Sequence, residues 1–303
     1  MSQIIDLSQP VYTDSLLQFI IGNNVARGRI VRLKKSYKQA LASHHYTHRI
    51  NEILGHVAAL GLMLTSSVKE DGIFTLQLQR QDENRPIRLM VAEMDAQNNF
   101  RLTARYDEDI AIKNDASIEE LFGKDAIMAF TTDYDKGERY QGLAALDKED
   151  LALAAMDWLN NSDQVESIVS LRSAIDEHEQ GELAFGLIIQ PLATQDLSLE
   201  EQGEHQEIWE NISIFAQSLK DEEALDEDLA LQDLLFRLFH EFGVKITQGS
   251  EVKFQCRCSK EKFISALQSM ENIEELADDG IIKTKCEYCG QQYDISLKGL
   301  TSE

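Results

Sequence analysis

Four cysteines lie in two close pairs near the end of the 303-residue chain. Cys256 and Cys258 form a CxC motif, and after 27 intervening residues Cys286 and Cys289 form a CxxC motif. Four thiolates arranged as a tetrahedron are ligands that Zn²⁺ accepts in closed structural sites. The same sulfurs could instead form disulfides or exchange them with a substrate. The residue types therefore leave three chemistries open: a metal site, a disulfide framework and a redox device.

The reduced or oxidised state of these thiols depends on the cellular compartment. The N-terminal sequence MSQIIDLSQPVY lacks a basic start followed by an apolar run. No stretch reaches the roughly 18 uncharged residues of a membrane span. We therefore expect a cytoplasmic protein without membrane contact, where thiols are kept reduced. This compartment favours a metal site or a redox switch over permanent disulfides.

The chain is strongly acidic, with a formal net charge of −24. Such a surface repels phosphate backbones, which argues against a nucleic-acid partner despite the zinc-like cysteine spacing. Half of the charge lies between Asp196 and Glu241, where fourteen acidic residues face only Lys220 and Arg237 and give a net charge of −12. This segment is therefore far more acidic than the rest of the chain.

The segment before residue 196 mixes helical and strand patterns and predicts an α+β layered domain over residues 1–195. Apolar residues at three-to-four spacing predict a buried central helix from about Ser36 to Ser66. A second helix is predicted from a cap at Asp147 to residue 161. Alternating or apolar runs predict strands over 73–79, 87–94, 100–106, 126–133, 167–175 and 183–192.

The acidic segment predicts a helical linker over residues 196–250. Its two amphipathic stretches carry apolar side chains at helical spacing. One interpretation is that both helices stay docked on the first domain, and the other is that they are sometimes docked and sometimes free. The apolar residues of these two faces are Trp209, Ile212, Phe215, Leu234, Leu235, Leu238, Phe239 and Phe242.

The third region, residues 251–303, holds all four cysteines. A unit of about 50 residues is near the size at which an apolar core no longer suffices and a metal or disulfides are needed. Glycine at position 290, directly after the CxxC motif, is typical of a zinc knuckle. We therefore predict one Zn²⁺ per chain, bound by Cys256, Cys258, Cys286 and Cys289. The residues alone leave open whether this metal is purely structural or part of a sensor.

The segments FQCRCSKEKFISAL and GIIKTKCEYCGQQYDIS, supported by VARGRIVRL, LMLTSSVKEDGIFTLQLQ, GERYQG and FRLFHE, resemble the redox-regulated holdase chaperone family called the 33 kDa chaperonin, or heat-shock protein of 33 kDa. The resemblance covers nearly the whole chain. It implies one zinc ion on the four reduced cysteines. It also implies that oxidation forms the disulfides Cys256–Cys258 and Cys286–Cys289 and releases zinc. The third region, called the tail below (residues 251–303), would then unfold together with the linker.

The resemblance further implies a function. The N-terminal domain would bind substrate and dimerise, and the unfolded linker, through the eight apolar residues named above, would bind unfolding client proteins. The oxidised protein would be a homodimer that protects against oxidative stress and heat aggregation and passes clients to ATP-dependent foldases. One position departs from the family pattern: Glu241 is followed by Phe242 instead of a second acidic residue, which we expect to affect linker docking.

Other functions have less support from the residues. The sequence contains no GxxxxGK[ST], GxSxG or HExxH motif, so we expect no ATP site and no enzymatic activity. A zinc-ribbon adaptor, whose constitutively folded tail binds a protein or nucleic-acid partner, is the alternative function. A thiol oxidoreductase ranks third, because residues 291–295 after Cys289 predict a strand and not the helix that a thioredoxin-type motif opens.

Overall fold

The computed structural model describes residues 4–65, 72–134, 137–162, 164–175, 183–270 and 273–300. Within these ranges the chain forms a five-stranded sheet, a six-stranded sheet, a two-stranded hairpin and eight α-helices. Helices and strands are mixed without a regular βαβ alternation, so the predicted α+β class is confirmed. Among these helices, none is long and apolar enough to cross a membrane.

The strands and helices of the described residues have the following bounds. The strands are β1 (Ser15–Ile21), β2 (Ala26–Leu33), β3 (Gly72–Gln79), β4 (Ile87–Asp95), β5 (Asn99–Tyr106), β6 (Ile127–Tyr134), β7 (Arg139–Ala145), β8 (Ile168–Ala174), β9 (Leu183–Pro191), β10 (Val244–Glu251), β11 (Lys253–Phe254), β12 (Ile281–Lys285) and β13 (Gln292–Ser296). The helices are α1 (Lys35–Leu41), α2 (His48–Thr65), α3 (Ile118–Phe122), α4 (Leu151–Ser162), α5 (Leu199–Gln217), α6 (Asp221–Ala224), α7 (Leu231–Phe239) and α8 (Lys260–Gln268).

Two sheets enclose the central helix α2. The five-stranded sheet has the order β10-β1-β2-β9-β8, and the six-stranded sheet has the order β11-β5-β4-β3-β6-β7. Helix α2 contacts strands of both sheets, and Ile53, Leu54, Val57 and Leu60 on it are fully buried. Burying each such side chain contributes about 1.5–3 kcal/mol, which explains why this helix is apolar around most of its circumference.

The predicted helix from Ser36 is interrupted. Helix α1 ends at Leu41 and α2 begins at His48, while Ser66 at the predicted end lies outside the described residues. Tyr46, in the break between the helices, exchanges hydrogen bonds with Ala104 of β5, whose backbone N–H donates to the Tyr46 hydroxyl at 2.9 Å. Because the helix is broken here, the side chain of Tyr46 reaches β5 of the six-stranded sheet.

Two further local predictions can be compared with the structure. Along β3 the buried side chains are Phe74, Leu76 and Leu78, so the predicted alternation is confirmed. Helix α4 begins at Leu151 instead of at a cap on Asp147, because the carboxylate of Asp150 accepts a hydrogen bond at 2.8 Å from the backbone N–H of Leu153.

The acidic linker helices cover the outer face of the five-stranded sheet. Helix α5 starts at Leu199, ten residues before Trp209, the first residue of the predicted apolar face. It begins at a capping box in which Ser198 and Glu201 exchange hydrogen bonds with each other's backbone N–H. Phe242, the position that departs from the family pattern, packs edge-on against Phe215 with ring centroids 5.3 Å apart. After the helices, β10 returns to the sheet and pairs antiparallel with β1, so residues 244–250 of the predicted linker form part of that sheet.

One buried cation fastens the linker to this sheet. The guanidinium of Arg32 on β2 is fully buried and donates to the carbonyl oxygens of Glu223 at 3.1 Å, Ala224 at 2.9 Å and Leu229 at 2.6 Å. Burial lowers the pKa of Arg32 to about 10. The loop around α6 is therefore held by backbone carbonyls on a buried positive charge, in addition to apolar packing.

Candidate metal centre

The first cysteine pair is positioned by the edge of the six-stranded sheet. Strand β11 pairs parallel with β5, and the backbone N–H of Gln255 donates to the carbonyl of Phe100 at 2.9 Å. Cys256 directly follows Gln255, so the pairing of β11 with β5 fixes the backbone position of Cys256. After Cys258 the hydroxyl of Ser259 caps α8 by accepting from the backbone N–H of Lys262. The CxC motif thus lies between a strand end and a helix start.

The second pair lies in the turn that joins β12 to β13. Cys286 N–H donates to the carbonyl of Gln291, and Gly290 N–H donates to the carbonyl of Cys286, both at 2.9 Å. Gly290 has φ +71°, a left-handed conformation that favours glycine, and the turn has the predicted knuckle form. Glycine is needed for a second reason, since a Cβ at this position would lie 2.7 Å from Cβ of Ser43 in the first domain.

The four sulfurs come together. All four Sγ atoms lie within 4.8 Å of one another, with Cys256 3.7 Å from Cys286 and Cys258 3.5 Å from Cys289. A tetrahedron with zinc–sulfur bonds of about 2.3 Å has edges of about 3.8 Å, so the spacing fits a Zn²⁺ ion. Within the described residues, this is the group of three or more cysteine, histidine or carboxylate side chains that is close enough to hold a metal.

The electrostatics differ between the sulfurs. Burial opposes ionisation of Cys256, but hydrogen bonds from the backbone and thiol of Cys258 outweigh it and lower the pKa of Cys256 to about 7. Burial raises the pKa of Cys286 and of Cys289. The hydrogen bond with Cys258 raises the pKa of the Tyr293 hydroxyl to about 12. Cys256 therefore ionises more readily than Cys286 or Cys289. Thiolates are both the ligands of zinc and the targets of oxidants.

The tail itself has a small apolar cluster. Its buried members are Leu267, Ile282, Ile295 and Leu300. Four buried apolar side chains form a small core for a unit of about 50 residues. A metal bound by the four cysteines would add to its stability, as expected for a domain of this size.

The tail contacts the first domain through polar groups that the sequence did not predict. The carboxylate of Glu93 on β4 accepts hydrogen bonds from Arg101 on β5, from Arg257 inside the CxC motif and from the hydroxyl of Tyr288 inside the CxxC motif. At the rim, Arg105 forms an ion pair with Glu287 at 2.7 Å. The sequence indicates these contacts only indirectly, because Glu93 and Arg101 lie on two consecutive predicted strands that could pair.

The predicted client-binding residues of the linker are covered in this structure. They pack against Phe19, Phe185, Leu187 and other residues on the outer face of the five-stranded sheet. The fully or nearly fully buried ones are Trp209, Ile212, Leu234, Leu235, Leu238 and Phe239, and the partly buried ones are Phe215 and Phe242. The linker and the sheet therefore hide each other's apolar surface.

The chain is similar to known proteins over most of its length. A family model described as "Hsp33 protein" matches residues 14–296. A 33 kDa chaperonin of Shewanella sp. (strain ANA-3) is 34% identical over 283 residues, or 92% of both chains, and that of Photobacterium profundum is 32% identical over 284 residues, or 93% and 91%. A crystal structure of the 33 kDa chaperonin (Hsp33 homolog) of Thermotoga maritima has the same fold, with a TM-score of 0.77, 20% identity and coverage of 95% and 97%. This chain belongs to the Hsp33 family of chaperones.

Proposed function

We propose that this chain is a redox-regulated, ATP-independent holdase that works in the cytoplasm and protects unfolding proteins during oxidative and heat stress. The observation that carries the proposal is the convergence of four sulfurs within 4.8 Å in a tail with only a small apolar cluster of its own. Because such a tail depends on its sulfurs for stability, a chemical change at the sulfurs becomes a folding change.

In the reduced chain, Cys256, Cys258, Cys286 and Cys289 hold one Zn²⁺. The chemistry of the donor set supports this metal, since four thiolates at tetrahedral spacing suit zinc in a closed site. The bound metal would contribute on the order of 10 kcal/mol to folding of the tail. The folded tail then keeps the end of β10 and the start of β11 in place beside the linker.

Oxidation converts the four thiols into two disulfides, Cys256–Cys258 and Cys286–Cys289. Each disulfide forms as two thiols lose two protons and two electrons, which hydrogen peroxide accepts to become two water molecules. The low pKa of Cys256, about 7, supports its role as the first sulfur to be oxidised. Disulfide sulfurs are no longer thiolate ligands, so the tail loses its metal and unfolds.

Loss of the folded tail leaves the linker without its C-terminal support. The linker helices then leave the five-stranded sheet, and both apolar faces become available to bind unfolded clients. The linker's net charge of −12 supports this step, because it keeps an exposed apolar segment soluble. The active form is a homodimer, and clients pass from it to ATP-dependent foldases. No residue has a catalytic role in this scheme.

One experiment tests the proposal. Reduced, zinc-loaded protein is treated with peroxide under mild heat, while zinc release, hydrogen exchange of α5 and α7 and suppression of a client's aggregation are followed. We expect about one zinc per chain to be released, linker exchange to rise and aggregation to be suppressed. A sample kept with reductant is the control.

Other outcomes point to the alternatives. Zinc retained after peroxide, with no gain in aggregation suppression, would contradict the switch and favour a zinc-ribbon adaptor. Catalytic turnover of disulfides on a small substrate would favour an oxidoreductase. Unchanged protection of α5 and α7, together with suppression of aggregation, would show that clients bind without release of the linker.

A further inference from the structure

Glu93 brings three side chains onto one carboxylate. Its Oε2 accepts from Nη2 of Arg101 at 2.7 Å, from Nε of Arg101 at 3.0 Å and from Nη2 of Arg257, while its Oε1 accepts from the Tyr288 hydroxyl at 2.6 Å. The side chains of Glu93, Arg101 and Arg257 are only 16%, 17% and 22% exposed. Charge-assisted hydrogen bonds that are shielded from water in this way are stronger than those of exposed ion pairs.

The tail residues in this cluster are the ones inside the cysteine motifs. Arg257 is the single residue between Cys256 and Cys258, and Tyr288 directly precedes Cys289. Both motifs are therefore fastened to the same carboxylate of the first domain. A movement of either turn changes the hydrogen bonds of Glu93.

Arg101 extends this cluster to the sulfurs. Its guanidinium carbon lies 4.0 Å from the centre of the Tyr288 ring, and its Nη1 lies 4.0 Å from Sγ of Cys256. A zinc ion with four thiolates has a net charge of −2. Arg101 and Arg257, balanced by Glu93, place a net charge of +1 beside the sulfurs, opposite in sign to the charge of such a centre.

We propose that Glu93 and Arg101 of the first domain are positioning residues of the four-cysteine centre, so that docking of the first domain slows loss of the metal. This inference rests on the proposed function in one respect, that the reduced cysteines hold zinc. Linkage makes the effect reciprocal: the metal stabilises docking by the same factor by which docking stabilises metal binding. The first domain is then part of the sensor.

The test uses full-length, reduced, zinc-loaded protein and an excess of a chromophoric chelator without any oxidant. Glu93→Gln keeps the side chain's size and its acceptor for Tyr288 but removes the charge that holds both arginines. Arg101→Gln removes the cation near Cys256. Because groups that orient metal ligands typically change metal affinity by about 10- to 100-fold, we expect zinc release to become faster by about that factor in both variants.

Glu287→Gln is the matched control. Glu287 lies in the same CxxC turn and also pairs with an arginine of the first domain, but its side chain is 51% exposed and that of Arg105 is 58% exposed. Exposed pairs contribute little, so release should stay within about fivefold of the wild-type rate. Tyr288→Phe removes one donor to Glu93 and keeps the ring, and we expect an intermediate rate.

A second readout separates positioning from general stability. With Co²⁺ in place of zinc, the sulfur-to-metal charge-transfer band should shift in Arg101→Gln and not in Glu287→Gln, a spectral change that lower stability of the first domain would not by itself produce. Release rates of Glu93→Gln and Arg101→Gln equal to the control would overturn this inference. If wild-type protein releases zinc on peroxide without suppressing aggregation, the proposed function fails while fast release from Glu93→Gln still supports the positioning role.

Discussion

The linker and the cysteine-containing tail contact the first domain by opposite kinds of chemistry. The linker covers the five-stranded sheet with apolar side chains such as Trp209, Ile212 and Leu235, each at most 2% exposed. After β11, whose Phe254 packs on the core, the tail contacts the six-stranded sheet through Glu93, Arg101 and other charged or polar groups. One contact is broad and apolar, and the other is narrow and directional.

This difference suits the two regions to different tasks. Apolar packing depends on area and tolerates small movements, so the contact between the linker and the sheet is insensitive to small local changes. Hydrogen bonds between charged groups depend on geometry and weaken steeply when the angle or distance changes. A small chemical change at the sulfurs can therefore release the tail, whereas release of the linker requires its apolar face to separate as a whole.

The largest effect should come from removing a sulfur ligand. In Cys286→Ser the buried position keeps its size but loses its thiolate, so the proposed metal site should lose most of the roughly 10 kcal/mol that metal binding would supply to the tail. We expect zinc content well below one per chain and loss of hydrogen-exchange protection across β12 and β13. Wild-type protein treated with chelator should show the same exchange pattern. Full zinc content and full protection in Cys286→Ser would show that the tail does not depend on this sulfur.

The next effect tests the apolar contact. Phe239 of α7 is fully buried and stacks against Phe19 of β1 at 6.3 Å, so Phe239→Ala should weaken linker docking by about 3–5 kcal/mol. Phe236 on the same helix is 62% exposed, and Phe236→Ala should change stability by about 0.5 kcal/mol at most. Hydrogen exchange of α7 measures both. Equal exchange rates in the two variants would contradict the view that apolar burial holds the linker.

Periodic patterns were predicted well because one buried face leaves a local signature. The alternation along β3 and the apolar face of α7 both appear in the structure as the sequence indicates. The start of α5 was missed because few apolar residues lie between Leu199 and Glu207, although Ser198 and Glu201 form the S-x-x-E spacing of a capping box. A cap motif carries information where periodicity is weak.

Contacts between distant segments were not predictable in the same way. The convergence of the cysteines is indicated by residue type and spacing, because two close cysteine pairs in one small region are typical of a zinc site. The pairing of β10 with β1 joins segments more than 220 residues apart, and no local pattern encodes the partner. The role of Glu93 likewise depends on Arg257 and Tyr288, which are distant in sequence, so it emerges only from the folded chain.

A smaller effect is expected at the polar part of the linker contact. In Arg32→Met the side chain keeps much of its volume, but the carbonyls of Glu223, Ala224 and Leu229 lose a common donor. Buried acceptors without partners are costly, while removal of a buried charge offsets part of that cost, so we expect about 2 kcal/mol of weaker docking. Arg172→Met is the control, because its partner Asp221 is 71% exposed. Faster exchange at α6 and α7 only in Arg32→Met would support this assignment, and equal exchange would refute it.

The smallest effect concerns salt, and it should have opposite signs in the two regions. Raising ionic strength to about 1 M shortens the screening length to about 3 Å. In the linker, screening reduces repulsion among fourteen acidic residues, so docking should strengthen. At the tail, screening weakens pairs such as Arg105 with Glu287, so docking should weaken. Each shift should be below about 1 kcal/mol. Hydrogen exchange of α7 should therefore slow with added salt while that of β12 and β13 rises, and a shift of the same sign in both regions would show that their attachments do not differ in the way described.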